Sequence, residues 1–316
     1  MRCSSCGVEC GEGVRDPWGR PSLCNACFNL YYAYCAECGR ACERHIRYYQ
    51  NDAGEQLCSQ CWAQTQTWRP TVVPTSGPST RVGSPRCFGL ELETSACPQF
   101  TQLRGRTVFG AKQDCSVDGM EFDSPILQGN RGLDHVRQFC RFAQEMGFQV
   151  DSKCGFHIHL DMRHTTKKQR RAIIYAYRQT YKIWESMVAV ERRGKHWCQA
   201  PDYSLADVLE GTNIDDFCSE GDRYEFVNLF AYECHSTFEI RGYQGTLNAP
   251  VICNWIKAHL RFVDAVQDKS FEELDEMFGK PRRAFRSIRR ILGAALSRFY
   301  SHDWRASNLT RHVSMV

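Results

Sequence analysis

Three stretches of this chain alternate strictly between apolar and reactive side chains, and that period of two admits only extended strands. In Cys154-Gly-Phe-His-Ile-His-Leu-Asp161, Phe156, Ile158 and Leu160 share one face while His157, His159 and Asp161 share the other. In Phe88-Gly-Leu-Glu-Leu-Glu93 the division is Phe88, Leu90 and Leu92 against Glu91 and Glu93. In Thr237-Phe-Glu-Ile-Arg241 it is Phe238 and Ile240 against Glu239 and Arg241. A lone His-x-His is ordinary in a structural strand. Three strands with the same division, laid in one sheet, gather carboxylates, two imidazoles and a guanidinium on a single surface. Like charges facing one another destabilise a sheet unless something neutralises them. Divalent cations carrying bound phosphate would do so, and such a site is what the pattern predicts.

A fourth strand joins them. Asp118-Gly119 reads as a hairpin turn, which sets Glu121 on the strand that follows, with Met120 and Phe122 facing the core. Asp114 and Asp118 read as turn residues. Apolar positions at 133, 136, 139, 140, 143 and 146 predict a helix that stops at Gly147, and Phe148-Gln-Val150 a short strand. Thr165 or Thr166 caps a second helix expected to run to about Glu191. Residues 192–222 read as polar loop, an insertion or a lid. Gly245 to Pro250 reads as a turn into a third helix, and Arg282, Arg283, Arg286, Arg289 and Arg290 mark a basic helix with a solvated face.

The cysteines define a separate N-terminal domain. Ten of the nineteen lie in the first 61 residues, and the C-x2-C pairs among them have metal spacing rather than that of a disulfide framework. Cys3/Cys6 with Cys24/Cys27, and Cys35/Cys38 with Cys58/Cys61, each offer four thiolates to a structural Zn2+. Cys3, Cys6, Gly7 and Cys10 recur 32 positions later as Cys35, Cys38, Gly39 and Cys42, so two tandem modules are expected over residues 1–64. Cys10, Cys42 and His45 are spare donors. Leu23-Cys-Asn-Ala-Cys27 followed by Leu30-Tyr-Tyr resembles the second knuckle and helix of GATA-type treble-clef fingers. The basic tail that DNA reading needs is replaced by the next module, which favours a structural and docking role.

Residues 65–86, rich in Pro, Ser and Thr, read as a linker, and residues 87–316 as the catalytic body. A net charge of +4 over 316 residues does not by itself argue for nucleic acid, and no apolar run is long enough to span a membrane. Nine scattered thiols and a start without an apolar signal-peptide core predict a cytoplasmic setting.

The ordered set F-G-L-E-L-E, D-C-S-V-D-G-M-E-F-D-S-P-I-L, C-G-F-H-I-H-L-D, R-Y-E-F-V-N-L and T-F-E-I-R-G-Y-Q-G-T resembles the amidoligase family of carboxylate–amine ligases, whose fold is that of glutamine synthetase and glutamate–cysteine ligase. The resemblance spans about residues 87 to 267. Asp114-Cys115-Ser116 departs from the family's usual Asp-Gly-Ser and leaves Glu121 in place. The resemblance implies an α+β fold, an antiparallel sheet funnel flanked by helices, with ATP and two or more Mg2+ or Mn2+ ions on its polar face. Glu93 and Glu121 match holders of one metal; Glu91, His157 and Glu239 match holders of the nucleotide-linked metal. Arg241 matches a phosphate-contacting arginine, and His159 a nucleotide or substrate contact. Arg223 and Asn228 match further nucleotide or substrate contacts. Arg241, Glu121 and His159 are therefore the expected catalytic set.

Elementary chemistry agrees, because amide formation needs a carboxylate oxygen turned into a leaving group, which phosphoryl transfer from ATP achieves. Cations and Arg241 would hold the transferring phosphate, and no side-chain nucleophile is needed. ATP, a carboxylate and an amine are the expected partners, with the zinc modules docking a peptide or protein substrate. Neither nucleic acid nor membrane is expected. The competing expectations are a Zn2+ hydrolase built on Glu91, His157, His159 and Glu239, and an adaptor whose second domain has a non-catalytic ligase fold.

Overall fold

The structure is a computed structural model, and it describes residues 2–3, 6, 8–9, 14–15, 21–36, 39–43, 56, 84–97, 107–113, 119–196, 198–210 and 223–300. The chain divides into two compact units, one of residues 1–68 with 111–113 and one of residues 69–110 with 114–316. Cys10, Cys38, Cys58, Cys61, His45, Asp114 and Asp118 of the expected turn region, and most of the expected linker lie outside the described residues.

In the first unit β1 (Val14–Arg15) pairs antiparallel with β2 (Pro21–Leu23), then come α1 (Asn25–Tyr31) and a second antiparallel pair, β3 (Tyr32–Tyr34) with β4 (Ala41–Glu43). The Cys24 sulfur caps α1 by accepting the Cys27 N–H at 3.4 Å. Among the described residues, buried Leu23 and Phe28 pack with Cys3 and the partly buried Cys24, Cys27, Tyr32 and Ala41, a small apolar set for a unit to fold on. The internal repeat is visible in the backbone: Cys3 N–H donates to the Val8 carbonyl at 2.9 Å, and 32 residues on Cys35 N–H donates to the Arg40 carbonyl at 2.8 Å.

The second unit is mixed α/β, an antiparallel sheet flanked by helices. Its strands are β5 (Cys87–Glu93), β7 (Met120–Asp123), β8 (Leu127–Gln128), β9 (Gly155–Asp161), β10 (Val227–Asn228) and β11 (Thr237–Gln244), while β6 (Gly110–Gln113), next in chain order after β5, has residues 111–113 in the first unit. The sheet carries β10, β11, β9, β5 and β7 in that order, with β8 also on β5, so the three alternating stretches are immediate neighbours. Their apolar sides, Phe88, Leu90, Leu92, Phe156, Ile158, Leu160, Phe238 and Ile240, are all buried. One irregularity interrupts the ladder. Arg241 and Gly242 both stand opposite His157, a β-bulge that returns Tyr243 to the apolar side against Phe156. Phe148 to Val150 contributes only a single bridge, Gln149 to Ala96.

Helices cover the apolar side. They are α2 (Gly129–Glu145), α3 (Lys167–Ser186), α4 (Leu205–Glu210), α5 (Ala231–His235), α6 (Ala249–Val266), α7 (Phe271–Phe278) and α8 (Pro281–Tyr300). The α2 helix ends where its sequence says it should, at Met146 before Gly147 with φ +74°. Thr166 caps α3 through a capping box with Gln169. That helix stops at Ser186 rather than near Glu191, because the Arg193 guanidinium donates to the Ser186 and Val188 carbonyls at 3.0 and 2.9 Å. A 3-10 turn at Val190–Arg192 follows and directs Arg192 into the interior. Arg86, expected at the end of the linker, is tied into the body by hydrogen bonds to the Asp161 carbonyl, to Asp264 and to Gln267. Among the described residues no helix is long and apolar enough to cross a membrane.

Between α3 and α6 the core holds one imidazole. The His259 ring lies 4.3 Å from Trp184 and 4.4 Å from Trp255 by centroid, with the Tyr177 hydroxyl 2.9 Å from its Nδ1. Burial pushes its pKa down to about 3. An unfolded histidine titrates near about 6.5. Between these values the unfolded chain binds the extra proton, so stability is full above the upper value and falls as pH is lowered toward 3. Urea midpoints should therefore drop between about pH 7 and about pH 4.5, and less so in His259→Gln. An equal drop in the variant would place the acid sensitivity elsewhere.

Candidate functional site

The register sets the polar face. Glu91 stands opposite His157 across β5 and β9, and Glu239 opposite His159 across β11 and β9. Glu93 stands opposite Glu121 and Glu91 opposite Asp123 across β5 and β7. Asn228 stands opposite Glu239 on β10. All five residues expected as ligands, Glu91, Glu93, Glu121, His157 and Glu239, therefore share one surface with His159 and Arg241.

The side chains meet closely. His157, 2 % exposed, has Nδ1 at 3.1 Å from Glu91 and 3.2 Å from Glu239, with Nε2 at 3.5 Å from Glu93. His159 turns Nδ1 to the Thr237 hydroxyl at 2.8 Å, leaving Nε2 3.1 Å from Glu91 Oε1 but out of hydrogen-bond alignment. That is the posture of a metal-ligating histidine, one nitrogen oriented by a partner and the other presented. Ligand atoms of Glu91, His159 and Glu239 lie within 4.8 Å of one another, and so do those of Glu91, Glu121 and Asp123. Two ligand sets thus share Glu91.

Charge explains why such a cluster could hold a cation. Burial alone would raise the Glu91 carboxyl, but the His157 and His159 imidazoles beside it hold it well below its usual value. Burial would likewise lower His159, and Glu91, Glu239 and Asp123 outweigh it and raise it. Arg241 donates to Glu239 at 2.6 Å, and Asn228 donates to the same carboxylate at 2.6 Å. Five carboxylates (Glu91, Glu93, Glu121, Asp123, Glu239) face two guanidiniums, Arg241 and Arg192. An uncompensated buried charge costs several kcal/mol, so the arrangement suits divalent ions bound to carboxylate oxygen and imidazole nitrogen.

A family model described as "Putative amidoligase enzyme" matches residues 102–263, half of the chain. The chain belongs to this amidoligase family. No curated protein matches it. The matched region begins beyond β5, so Glu91 and Glu93 of this amidoligase join the family core through strand pairing with β7 and β9. The family is one of ligase-type enzymes.

Two residues escaped the sequence reading. Asp123 lies two positions after Glu121 and on the same face, a signal available from the alternation. Arg192 comes from a loop and carried no such signal. Its Nη1 and Nη2 lie 3.4 Å from the Lys153 and Arg241 carbonyls, and a Cβ on Gly155 would stand 2.7 Å from its Nη2 and 3.0 Å from His157 Nε2. Only glycine leaves room there. The Gly155 N–H also donates to Glu93 at 2.5 Å. Arg223, by contrast, is exposed, stacked on Tyr224 at 5.3 Å, and Tyr224 in turn lies 5.9 Å from Arg241.

Beside the cluster a cavity of about 310 Å3 is lined by Glu91, Asp123, His159, Asp161, Arg163 and Ile126, among others. Cys87 also borders it, and burial raises its thiol. Burial likewise pushes Cys154 and Cys198 up to about 11. Neutral thiols are poor nucleophiles.

In the N-terminal unit the sulfurs of Cys3, Cys6, Cys24 and Cys27 lie within 4.8 Å of one another, with Cys6 and Cys24 at 3.7 Å. Four sulfurs about 2.3 Å from a tetrahedral Zn2+ are about 3.8 Å apart, so the quartet fits zinc. Of the second quartet only Cys35 is described, and it is buried.

Cys24→Ser should remove one equivalent of zinc from the purified protein by elemental analysis and expose its N-terminal unit to protease. Zinc content equal to wild type would exclude this quartet as a ligand set. Asp123→Asn should weaken Mn2+ binding to the body by about tenfold, read by electron paramagnetic resonance; unchanged affinity would remove Asp123 from the site.

Proposed function

We propose that this amidoligase is an ATP-dependent carboxylate–amine ligase that forms an amide or peptide bond through an acyl phosphate, on a glutamine synthetase-like sheet funnel. The observation that carries the reading is the convergence of five carboxylates, two imidazoles and Arg241 on one face of four adjacent strands. That donor set suits hard cations with bound phosphate better than a lone Zn2+, which takes about four ligands and no such excess of carboxylate.

In this reading ATP supplies the phosphoryl group that turns the substrate carboxylate into a leaving group, with Mg2+ or Mn2+ holding the phosphates. The chain's own residues divide the remaining work. Glu91, Glu121 and Asp123 form one cation seat, Glu91, His159 and Glu239 the other, and Glu93 supports the first while anchoring the Gly155 N–H. His157 bridges Glu91, Glu93 and Glu239 and keeps three carboxylates at fixed separations. Arg241 is pinned by Glu239 and, though burial opposes its charge, the surrounding carboxylates keep it firmly protonated, ready to stabilise a transferring phosphoryl group. Asn228 steadies Glu239, and Arg223 reaches the site only through Tyr224. The cavity lined by Asp123, Asp161 and Ile126 receives the amine or the carboxylate.

The zinc unit over residues 1–64, joined by the 65–86 linker to the catalytic body of 87–316, docks a peptide or protein that presents one substrate group. Raised thiols at Cys87, Cys154 and Cys198 favour a route without a covalent enzyme intermediate and suit a reducing cytoplasm.

The test is ATP consumption with Mg2+ alongside mass spectrometry of candidate peptides and amines for loss of one water. Glu91→Gln and Arg241→Ala should each lower ADP release by on the order of a hundredfold or more. ADP release that survives both changes would sink the ligase reading, and product cleavage with Zn2+ and no ATP would replace it with a hydrolase.

A further inference from the structure

The α8 helix carries six arginines, at 282, 283, 286, 289, 290 and 298, and no acidic residue. Arg282, Arg286 and Arg290 repeat at four-residue spacing, and Arg286 and Arg289 at three, so like charges neighbour one another along one face. Arg282 and Arg283 also sit in the first turn, where the helix dipole disfavours cations. An ordinary solvated face mixes signs and avoids both penalties. The opposite face is fixed, since Ala284, Ile288, Leu292, Leu296 and Tyr300 are buried.

The helix is broken deliberately. Gly293 has φ +73° and ψ 173°, a conformation that belongs to glycine. The Leu292 carbonyl is taken by the Arg261 guanidinium from α6, and the Ser297 hydroxyl donates to the Arg289 carbonyl at 3.0 Å. The bend is thereby held, and Arg298 beyond it joins Arg286, Arg289 and Arg290 around one concavity of about 610 Å3, with Ala294 and Ser297 completing the wall. All four guanidiniums are exposed. Arg86, Arg137, Arg163 and Arg241 each face a carboxylate, whereas among the described residues none of these four does. The contacts of Arg286 and Arg289 are the Arg282 carbonyl at 3.3 Å and the Phe285 ring at 5.8 Å.

We propose that this concavity binds a compact polyphosphate, two or more contiguous phosphates, as an anion site separate from the carboxylate cluster, with which it shares no lining residue. Guanidinium forks match phosphate oxygens in pairs. Four positive charges match the three to four negative charges of a pyrophosphoryl group, whereas a single phosphate leaves about half of them unmatched. The break at Gly293 sets Arg298 on the same wall as Arg286, Arg289 and Arg290, and a net charge of +4 gives no broad field for a long nucleic acid. The proposal is independent of the ligase reading.

Free polyphosphate and a nucleotide tail share this chemistry, and calorimetry on the intact protein in buffer free of divalent cations separates them. Pyrophosphate should bind at one site per chain, weaken by at least about tenfold in Arg286→Ala/Arg290→Ala and by less in Arg290→Lys, and be unaffected by Glu91→Gln. Melting temperatures equal to wild type would show that the exposed changes leave the fold intact. ATP binding as tightly as tripolyphosphate assigns the site to the phosphates alone, and tighter ATP binding assigns it to a nucleotide; AMP should compete weakly in both cases. Absence of pyrophosphate binding, binding indifferent to the arginine changes, or displacement of pyrophosphate by a single-stranded oligonucleotide at lower concentration would each overturn the proposal.

Discussion

The body depends on one electrostatic constraint: five carboxylates crowd the polar face of a sheet whose other face is a dry aromatic core. Two imidazoles and two guanidiniums offset part of that charge, and His157, wedged among Glu91, Glu93 and Glu239, sets the spacing of the rest. A sheet that needed only to fold would gain from replacing these groups with apolar or neutral side chains. Their joint presence is what the proposed cation sites would call for. The apolar face answers it mechanically, because Phe156, Ile158, Phe238 and Ile240 fix the strands on which the charges are mounted.

Much of this was legible in the residues, for a physical reason. Period-two alternation assigns each side chain a face before any partner is known, so Glu91/Glu93, His157/His159, Glu121 and Glu239/Arg241 could be placed on one side of a sheet. What alternation cannot supply is pairing. Asp123 follows Glu121 with the right parity, yet its place beside Glu91 depends on the β5–β7 register. Likewise His159, read as a substrate or nucleotide contact, acquires the posture of a ligand only through Thr237 on the neighbouring strand.

The misses share a cause, which is that the deciding partner lies far along the chain or off the repeating pattern. The α3 helix stops at Ser186, whose carbonyl is taken by an arginine seven residues later. Arg192 sits in what reads as polar loop and reaches the site through space that only Gly155 leaves open. The N-terminal unit shows the opposite case: Cys spacing alone foretold the clustered sulfurs of Cys3, Cys6, Cys24 and Cys27, since thiols at knuckle spacing need no distant partner to be recognised.

The bulge at Arg241 and Gly242 has a consequence for how this sheet tolerates change. Upstream of it, odd-numbered residues of β11 belong to the chemistry; from Tyr243 on, an odd-numbered residue belongs to the core. The strand therefore keeps two incompatible counts, joined at a glycine whose missing side chain admits the Phe226 ring. Losing Gly242 would straighten the ladder and still leave Arg241 opposite His157 and Tyr243 opposite Phe156, so the count by itself does not need the extra residue. What the joint cannot tolerate is bulk, because a Cβ on Gly242 would stand 1.9 Å from the Phe226 ring and push on the strand that carries Asn228, so a change on the core side would be felt at the reacting side.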